Sequence, residues 1–146
     1  MGVNENGEMA GWYPIYNYYD GDLAYEYWEK YFKPYMQHVK EEKYQTSPWP
    51  TTGVKVYLPD GSAFILSSTW VTYFPYAKAK KNYPRSVFLF LIQPKYNRID
   101  PMYIDWKDPK KIADNWCSKD KSSKENKGCA AVIMLNNWDI PPDYPW

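Results

Sequence analysis

Val54-Lys55-Val56-Tyr57-Leu58-Pro59-Asp60-Gly61-Ser62-Ala63-Phe64-Ile65-Leu66 decides the architecture of this chain. Val54, Val56 and Leu58 alternate with Lys55 and Tyr57, the period of a strand with one buried face. Pro59-Asp60-Gly61 interrupts that period. Proline fixes φ near its turn value, and glycine accepts the positive φ that other residues resist. Ser62 to Leu66 then resumes an apolar run of strand length. The stretch reads as a β-hairpin with Asp60 and Gly61 as its structural turn.

Downstream of the hairpin the strand signals continue. Trp70-Val71-Thr72-Tyr73-Phe74 reads as a third strand closed by Pro75. Ser86-Val87-Phe88-Leu89-Phe90-Leu91-Ile92 is nearly continuous in apolar residues and reads as a central strand. Met102-Tyr103-Ile104-Asp105-Trp106 alternates again. Asp108-Pro109-Lys110-Lys111-Ile112-Ala113-Asp114 reads as a short capped helix. Ala130 to Leu135 fits a strand or a short helix, and periodicity alone does not separate them. Tyr44 to Gly53, the basic stretch around Lys78, Lys80 and Lys81, and Pro94 to Pro101 read as loops. The tail Pro141 to Trp146 reads as irregular.

Upstream, the period changes to that of a helix. Asp20 or Asp22 is placed to cap its start. Leu23, Tyr27, Tyr31, Tyr35 and Val39 follow at helical spacing, flanked by Trp28, Phe32 and Met36. Glu26 and Lys30 stand as an i,i+4 pair. Pro34 requires a kink or a restart, and the helical signal fades after Glu42. One helical region followed by strands gives an α+β class: an N-terminal amphipathic helix packed on an antiparallel sheet. Residues 1–19 read as an irregular N-terminal segment or an expression leader. Residues 20–146 read as a single globular domain.

Composition narrows the function. The 146 residues carry 18 Lys plus Arg against 17 Asp plus Glu, a net charge of +1. No global field draws in nucleic acid, so no nucleic-acid partner is expected. No apolar run approaches the ~20 residues of a spanning helix. Sixteen Tyr and eight Trp are many for one core. Several should be exposed and available to stack on a glycan or anchor a peptide.

The single histidine, His38, falls on the helix and reads as a surface residue. Glu41-Glu42 and Asp20/Asp22 sit at element ends, where capping or solvation accounts for them. Asn97, Asp100 and Asp105 surround one loop, but their spacing matches no calcium loop. No nucleophile, phosphate-binding or metalloprotease motif occurs. No catalytic residue, metal or cofactor is expected, and the chain is not read as an enzyme. Cys117 and Cys129 flank a polar loop without histidine, which leaves a zinc site short of ligands. The pair reads as a disulfide contributing ~3 kcal/mol, and so as a mark of an oxidising compartment; two free thiols are the alternative.

Two segments read together carry a family resemblance. One is Leu58-Pro59-Asp60-Gly61-Ser62. The other is the ending Gly128-Cys129-Ala130-Ala131-Val132-Ile133-Met134-Leu135-Asn136-Asn137-Trp138-Asp139-Ile140-Pro141-Pro142-Asp143-Tyr144-Pro145-Trp146. The combination resembles the globular domain of bacterial type IV pilin-like and type II secretion pseudopilin-like proteins. The stretch Phe90 to Asn97 keeps only Asn97 of a middle segment common in that family. The resemblance implies a structural subunit of a pilus or of a secretion pseudopilus serving protein transport. It implies a prepilin with an apolar half-helix that these residues do not contain, the stretch 20–43 being its amphipathic continuation. Implied partners are copies of the chain, other pilin-like subunits, an inner-membrane assembly platform and a prepilin peptidase. The implied location is an inner-membrane anchor with the globular domain in the periplasm or on the cell surface. A Cys117–Cys129 disulfide would staple the C-terminal region. A secreted aromatic-rich binding module for glycan or peptide is the alternative.

Overall fold

The hairpin forms as read. In the computed structural model, which describes residues 21–45, 53–67, 70–78, 87–93, 98–119, 126–140, 142 and 144, β2 (Gly53–Tyr57) pairs antiparallel with β3 (Ala63–Ser67). Val54 stands opposite Leu66, and Val56 opposite Phe64. Gly61 takes φ 86°. Its N–H donates to the Leu58 carbonyl at 3.1 Å, and the Leu58 N–H donates to the Ser62 carbonyl at 2.9 Å.

The sheet grows outward from this hairpin. β1 (Lys40–Tyr44), β4 (Trp70–Phe74), β5 (Phe88–Gln93) and β6 (Arg98–Pro101) complete six antiparallel strands in chain order. Both edge strands discourage further pairing. β1 reads Lys-Glu-Glu-Lys-Tyr, and the four-residue β6 contains Pro101, which has no N–H to donate.

The helical segment packs on one face of the sheet. α1 (Gly21–Tyr27) opens into a π turn over Trp28–Phe32 and tightens to a 3-10 turn over Lys33–Tyr35. Trp28 is fully buried, and with Tyr27 it packs on Val54, Val56, Phe64, Leu66 and Ile92. The opposite face buries Ala63, Ile65, Phe74 and Leu89, with Val87 beside them. There Lys55 lies over the Tyr57 and Phe74 rings at 4.8 and 5.3 Å, and its ammonium donates to the Ala77 carbonyl at 3.1 Å. None of the described helices is long and apolar enough to cross a membrane.

The helix is shorter than its spacing predicts. The Lys33 N–H reaches the Trp28 carbonyl, and Pro34 has no N–H to continue the ladder. Met36 is already extended, and Lys40–Tyr44 is strand β1 where a helix was expected to about Glu42. His38 therefore lies in the connection and not on the helix. Tyr35 and Val39, placed on the apolar stripe by spacing, are exposed. The expected Glu26–Lys30 pair is replaced one turn on by Glu29–Lys33 at 2.7 Å, while the Lys30 ammonium sits 4.9 Å from the Tyr31 ring centre.

Met102–Trp106 is also not a strand. After Pro101 the chain turns, with Tyr103 at φ 70°, into a 3-10 turn over Ile104–Trp106. α2 (Pro109–Trp116) matches the capped helix that was read, and Cys129–Leu135 resolves as helix α3. The expectations for residues 1–20, for Lys80 and Lys81, for Asn97 and for most of the Pro141–Trp146 tail lie outside the described residues.

A chain of opposite charges ties the helical segment to β1. Lys33 Nζ contacts Glu29 Oε1 at 2.7 Å and Glu41 Oε1 at 2.6 Å, and His38 Nε2 lies 2.6 Å from Glu41 Oε2. The Lys33 ammonium, followed by His38, holds the Glu41 carboxyl below its ordinary value of 4.5.

Two outcomes are expected. A Cβ at position 61 would meet no atom within 4 Å, so any cost there comes from positive φ and not from crowding. Gly61→Val should lower unfolding free energy by about 1–2 kcal/mol, read from the denaturant midpoint; an unchanged midpoint would refute the left-handed turn. Because the folded value of Glu41 is depressed, its contribution is present above the unfolded value and is lost as pH falls through the folded one. The stability that Glu41 contributes should therefore decline as pH falls below about 4.5, and Glu41→Gln should flatten that part of the stability–pH curve.

Candidate functional site

The second packing unit follows β6 and contains the cysteines. Asp108 opens α2 by accepting the Lys111 N–H at 3.0 Å, and Pro109 occupies the first turn, where no donor is needed. Ile112, fully buried, points from α2 to α3. α3 begins at Cys129 and buries Cys129, Ala130, Ala131 and Val132 in succession. Small residues permit that close approach, and Tyr144 covers them from the tail. Burial pushes the Tyr144 phenol well above its ordinary range.

Three devices close the intervening loop at its base. The first is the Cys117–Cys129 disulfide, with a Cα separation of 4.9 Å. Asn126, buried, provides the second. Its Oδ1 accepts the Ser118 N–H at 2.8 Å and its Nδ2 donates to the Ser118 carbonyl at 3.0 Å, so one side-chain amide imitates a strand partner. The third is the Gly128 N–H, which donates to the Trp116 carbonyl at 3.0 Å. A Cβ at position 128 would fall 2.8 Å from Trp116 Cβ and 2.9 Å from Ile112 Cγ2, so only glycine fits there without displacement.

Aromatic residues complete the unit. Tyr103 stacks on Trp116 at 4.5 Å with a 12° tilt between the rings, and Trp106 meets Trp116 edge-on at 6.4 Å. The Lys111 ammonium lies 4.9 Å from the Trp106 ring centre. The 3-10 turn carrying Trp106 is bracketed by Tyr103 and Lys107, both at positive φ. Beyond α3, Asn137 and Trp138 are also left-handed, at 54° and 68°. The Trp138 N–H closes on the Ile133 carbonyl at 2.9 Å, and the Asn136 amide donates to the Asp139 carbonyl at 2.9 Å. This cap leaves the Trp138 side chain 65% exposed beside Met134 and Ile140, which are also exposed.

The structure joins Cys117 to Cys129, as read. Asp60 and Gly61 form the β2–β3 turn and do not belong to this unit. His38 faces Glu41 and the edge of Trp28, at 5.2 Å between ring centres. Glu41 and Glu42 lie inside β1, engaged by Lys33, His38 and Tyr57, and not at an element end. The Tyr57 phenol, pushed up to about 12 by burial and by its bond to Glu42, is a donor throughout the neutral range. Asp100 pairs with Arg98 at 2.7 Å, while Asp105 sits in the 3-10 turn. Among the described residues no group of three His, Cys, Asp or Glu could hold a metal ion. Asn126, Gly128 and the Tyr103–Trp116 stack escaped the sequence reading. A lone asparagine in a polar loop gives no hydropathy signal, and the stack joins residues on separate elements.

Across residues 1–146 the chain matches a family of unknown function, DUF6613, and belongs to it. No curated protein and no solved structure gives a significant match.

The closure makes the loop base sensitive to single changes. Cys117→Ser or Cys129→Ser should destabilise the oxidised protein by ~3 kcal/mol. Asn126→Ala should cost about 1–3 kcal/mol by leaving both Ser118 backbone groups without that partner. Thermal melts with and without reductant check both: reductant should lower the wild-type melting temperature and leave the cysteine variants unmoved.

Proposed function

We propose that the chain is the globular part of a pilin-like filament subunit, working as a structural component of a pilus or a secretion pseudopilus and not as an enzyme. The observation that carries this reading is the joint occurrence of the Leu58–Ser62 turn and the Gly128–Trp146 ending on a helix-then-sheet chain. Three further features support it. α1 packs on the face of an antiparallel sheet. The Asp60-Gly61 turn adopts the positive φ that its sequence calls for. The disulfide holds the C-terminal helix to the preceding one. On this reading an apolar half-helix anchors the full-length subunit in the inner membrane. The assembly platform and prepilin peptidase act on that form, and copies of the chain and other pilin-like subunits are its partners.

A secreted binding module for glycan or peptide is the second reading. It draws on the exposure of Tyr35, Tyr76, Trp106 and Trp138. Large aromatics outside a core are the usual anchors of partner surfaces.

The two readings separate at the mature N-terminus. Mass spectrometry of the protein purified from its native cells should find a processed end followed by ~20 apolar residues, with the protein in the sheared filament or envelope fraction. A mature end without that apolar segment, on a protein recovered free in the medium, would overturn the filament reading and favour the binding module.

A further inference from the structure

The β2–β3 turn contains a chemically fragile step. In an Asp-Gly pair the glycine amide nitrogen can attack the aspartate Cγ, because no side chain on the glycine obstructs it. The N–Cγ bond forms, and a carboxyl oxygen leaves as water together with the amide proton. Water then opens the succinimide ring at either carbonyl. Opening at one returns aspartate; opening at the other leaves isoaspartate, with an extra methylene in the backbone. No oxidant or cofactor takes part, and the net change is isomerisation. At position 60 that methylene would fall between the two strands on which the sheet is built.

We propose that Ser62 guards this turn against isoaspartate formation by engaging the Asp60 carboxylate while Leu58 engages the attacking amide. The Ser62 N–H donates to Asp60 Oδ1 at 2.9 Å, and the Ser62 hydroxyl donates to the same oxygen at 2.7 Å. Rotating the carboxyl toward Gly61 breaks both bonds. The nucleophile is committed as well, since the Gly61 N–H donates to the Leu58 carbonyl at 3.1 Å. The Leu58 N–H in turn donates to the Ser62 carbonyl at 2.9 Å, so both sides of the reacting pair hang on one closed ring of bonds.

Ser62 is 2% exposed although the turn projects into solvent, so water does not readily replace its bonds. The Ser62 hydroxyl, and after it the Ser62 amide, hold the Asp60 carboxyl below its ordinary 3.8. An ionised carboxylate is a poor electrophile because it must expel an oxide equivalent, and the lowering shrinks further the small protonated fraction that can react. Ser62 is thus a positioning residue for the turn's chemical lifetime. Its role is the same whichever partner the chain assembles with.

Ageing at neutral pH and physiological temperature tests this. The readout is enzymatic isoaspartyl methylation of the tryptic peptide Val56–Lys78, which separates Asp60 from the other Asp-Gly step, Asp20-Gly21. Folded wild type should accumulate isoaspartate at Asp60 about tenfold more slowly than the urea-unfolded chain, the rate equivalent of one or two retained hydrogen bonds. Ser62→Ala, which loses the hydroxyl bond but keeps the backbone one, should age measurably faster than wild type and recover part of that factor, and Ser62→Thr, which keeps the hydroxyl, should age like wild type. Equal rates in the folded and unfolded wild type would overturn the proposal without reference to any variant. A Ser62→Ala protein that keeps its fold by circular dichroism and ages as slowly as wild type would overturn it too.

Discussion

The seat of Trp28 on the central hairpin is the contact on which the rest of the fold depends. Its ring is fully buried and meets Phe64 at 5.9 Å and Phe32 at 6.5 Å. Burying an indole is worth roughly 3–5 kcal/mol, judged by what its removal costs. That exceeds the ~1–3 kcal/mol lost because its N–H finds no acceptor among the described residues. The surplus fixes which side of α1 faces the sheet. The π turn then begins at Trp28 itself. Widening the helix there lets Trp28 and Phe32 lie nearly parallel, 13° apart, on one side of the segment.

From that point the connection is dictated by a missing proton. Pro34 cannot donate, so the ladder ends and the chain extends from Met36. Lys33 is left within reach of both Glu29 behind it and Glu41 ahead of it, and Glu41 in turn takes His38. These pairs are at least partly exposed, and each contributes little alone. Their combined effect is to choose a register. Glu41 stands opposite Val56, so β1 is aligned with the strand on which Trp28 packs.

The two halves of the molecule are held by different physics. The sheet half rests on side-chain burial over five strand pairings and tolerates a short, irregular helix. The stapled half has helices of eight and seven residues, too short to be stable alone. It compensates with a covalent bond, a side-chain amide clamp and a glycine contact that draws α3 against Trp116. This division decides how much was legible. Local signals gave the hairpin, the Asp108 cap and the disulfide. Lys40–Tyr44 gives no strand signal because its apolar neighbours keep helical spacing up to Val39, and a charged edge strand has no hydrophobic alternation of its own. Ala130–Leu135 was ambiguous because small apolar residues suit either element, and only the buried surface of α2 selects the helix. Asn126 was invisible because its importance lies in Ser118, eight residues away.

Closure of the sheet edges constrains how this chain can associate. Strand addition is the cheapest route to assembly for an open sheet, and here both ends oppose it. β1 presents two lysines and two glutamates in five residues, and β6 is short and carries Pro101. Partner contacts are left to side-chain surfaces. Apart from Ile99 on β6, the exposed large apolar groups lie outside the strands: Tyr35 and Val39 after the helix, Tyr76 after β4, Trp106 in the 3-10 turn, Met134 on α3, and Trp138 and Ile140 after it. The last group stands on a backbone with two successive left-handed residues, a conformation a bulky side chain adopts only under constraint. Retaining tryptophan there, exposed and at the cost of strain, suits a role in contact with another molecule better than a role in the core. That distribution favours contacts through helices and loops, and it disfavours association by continuation of the sheet.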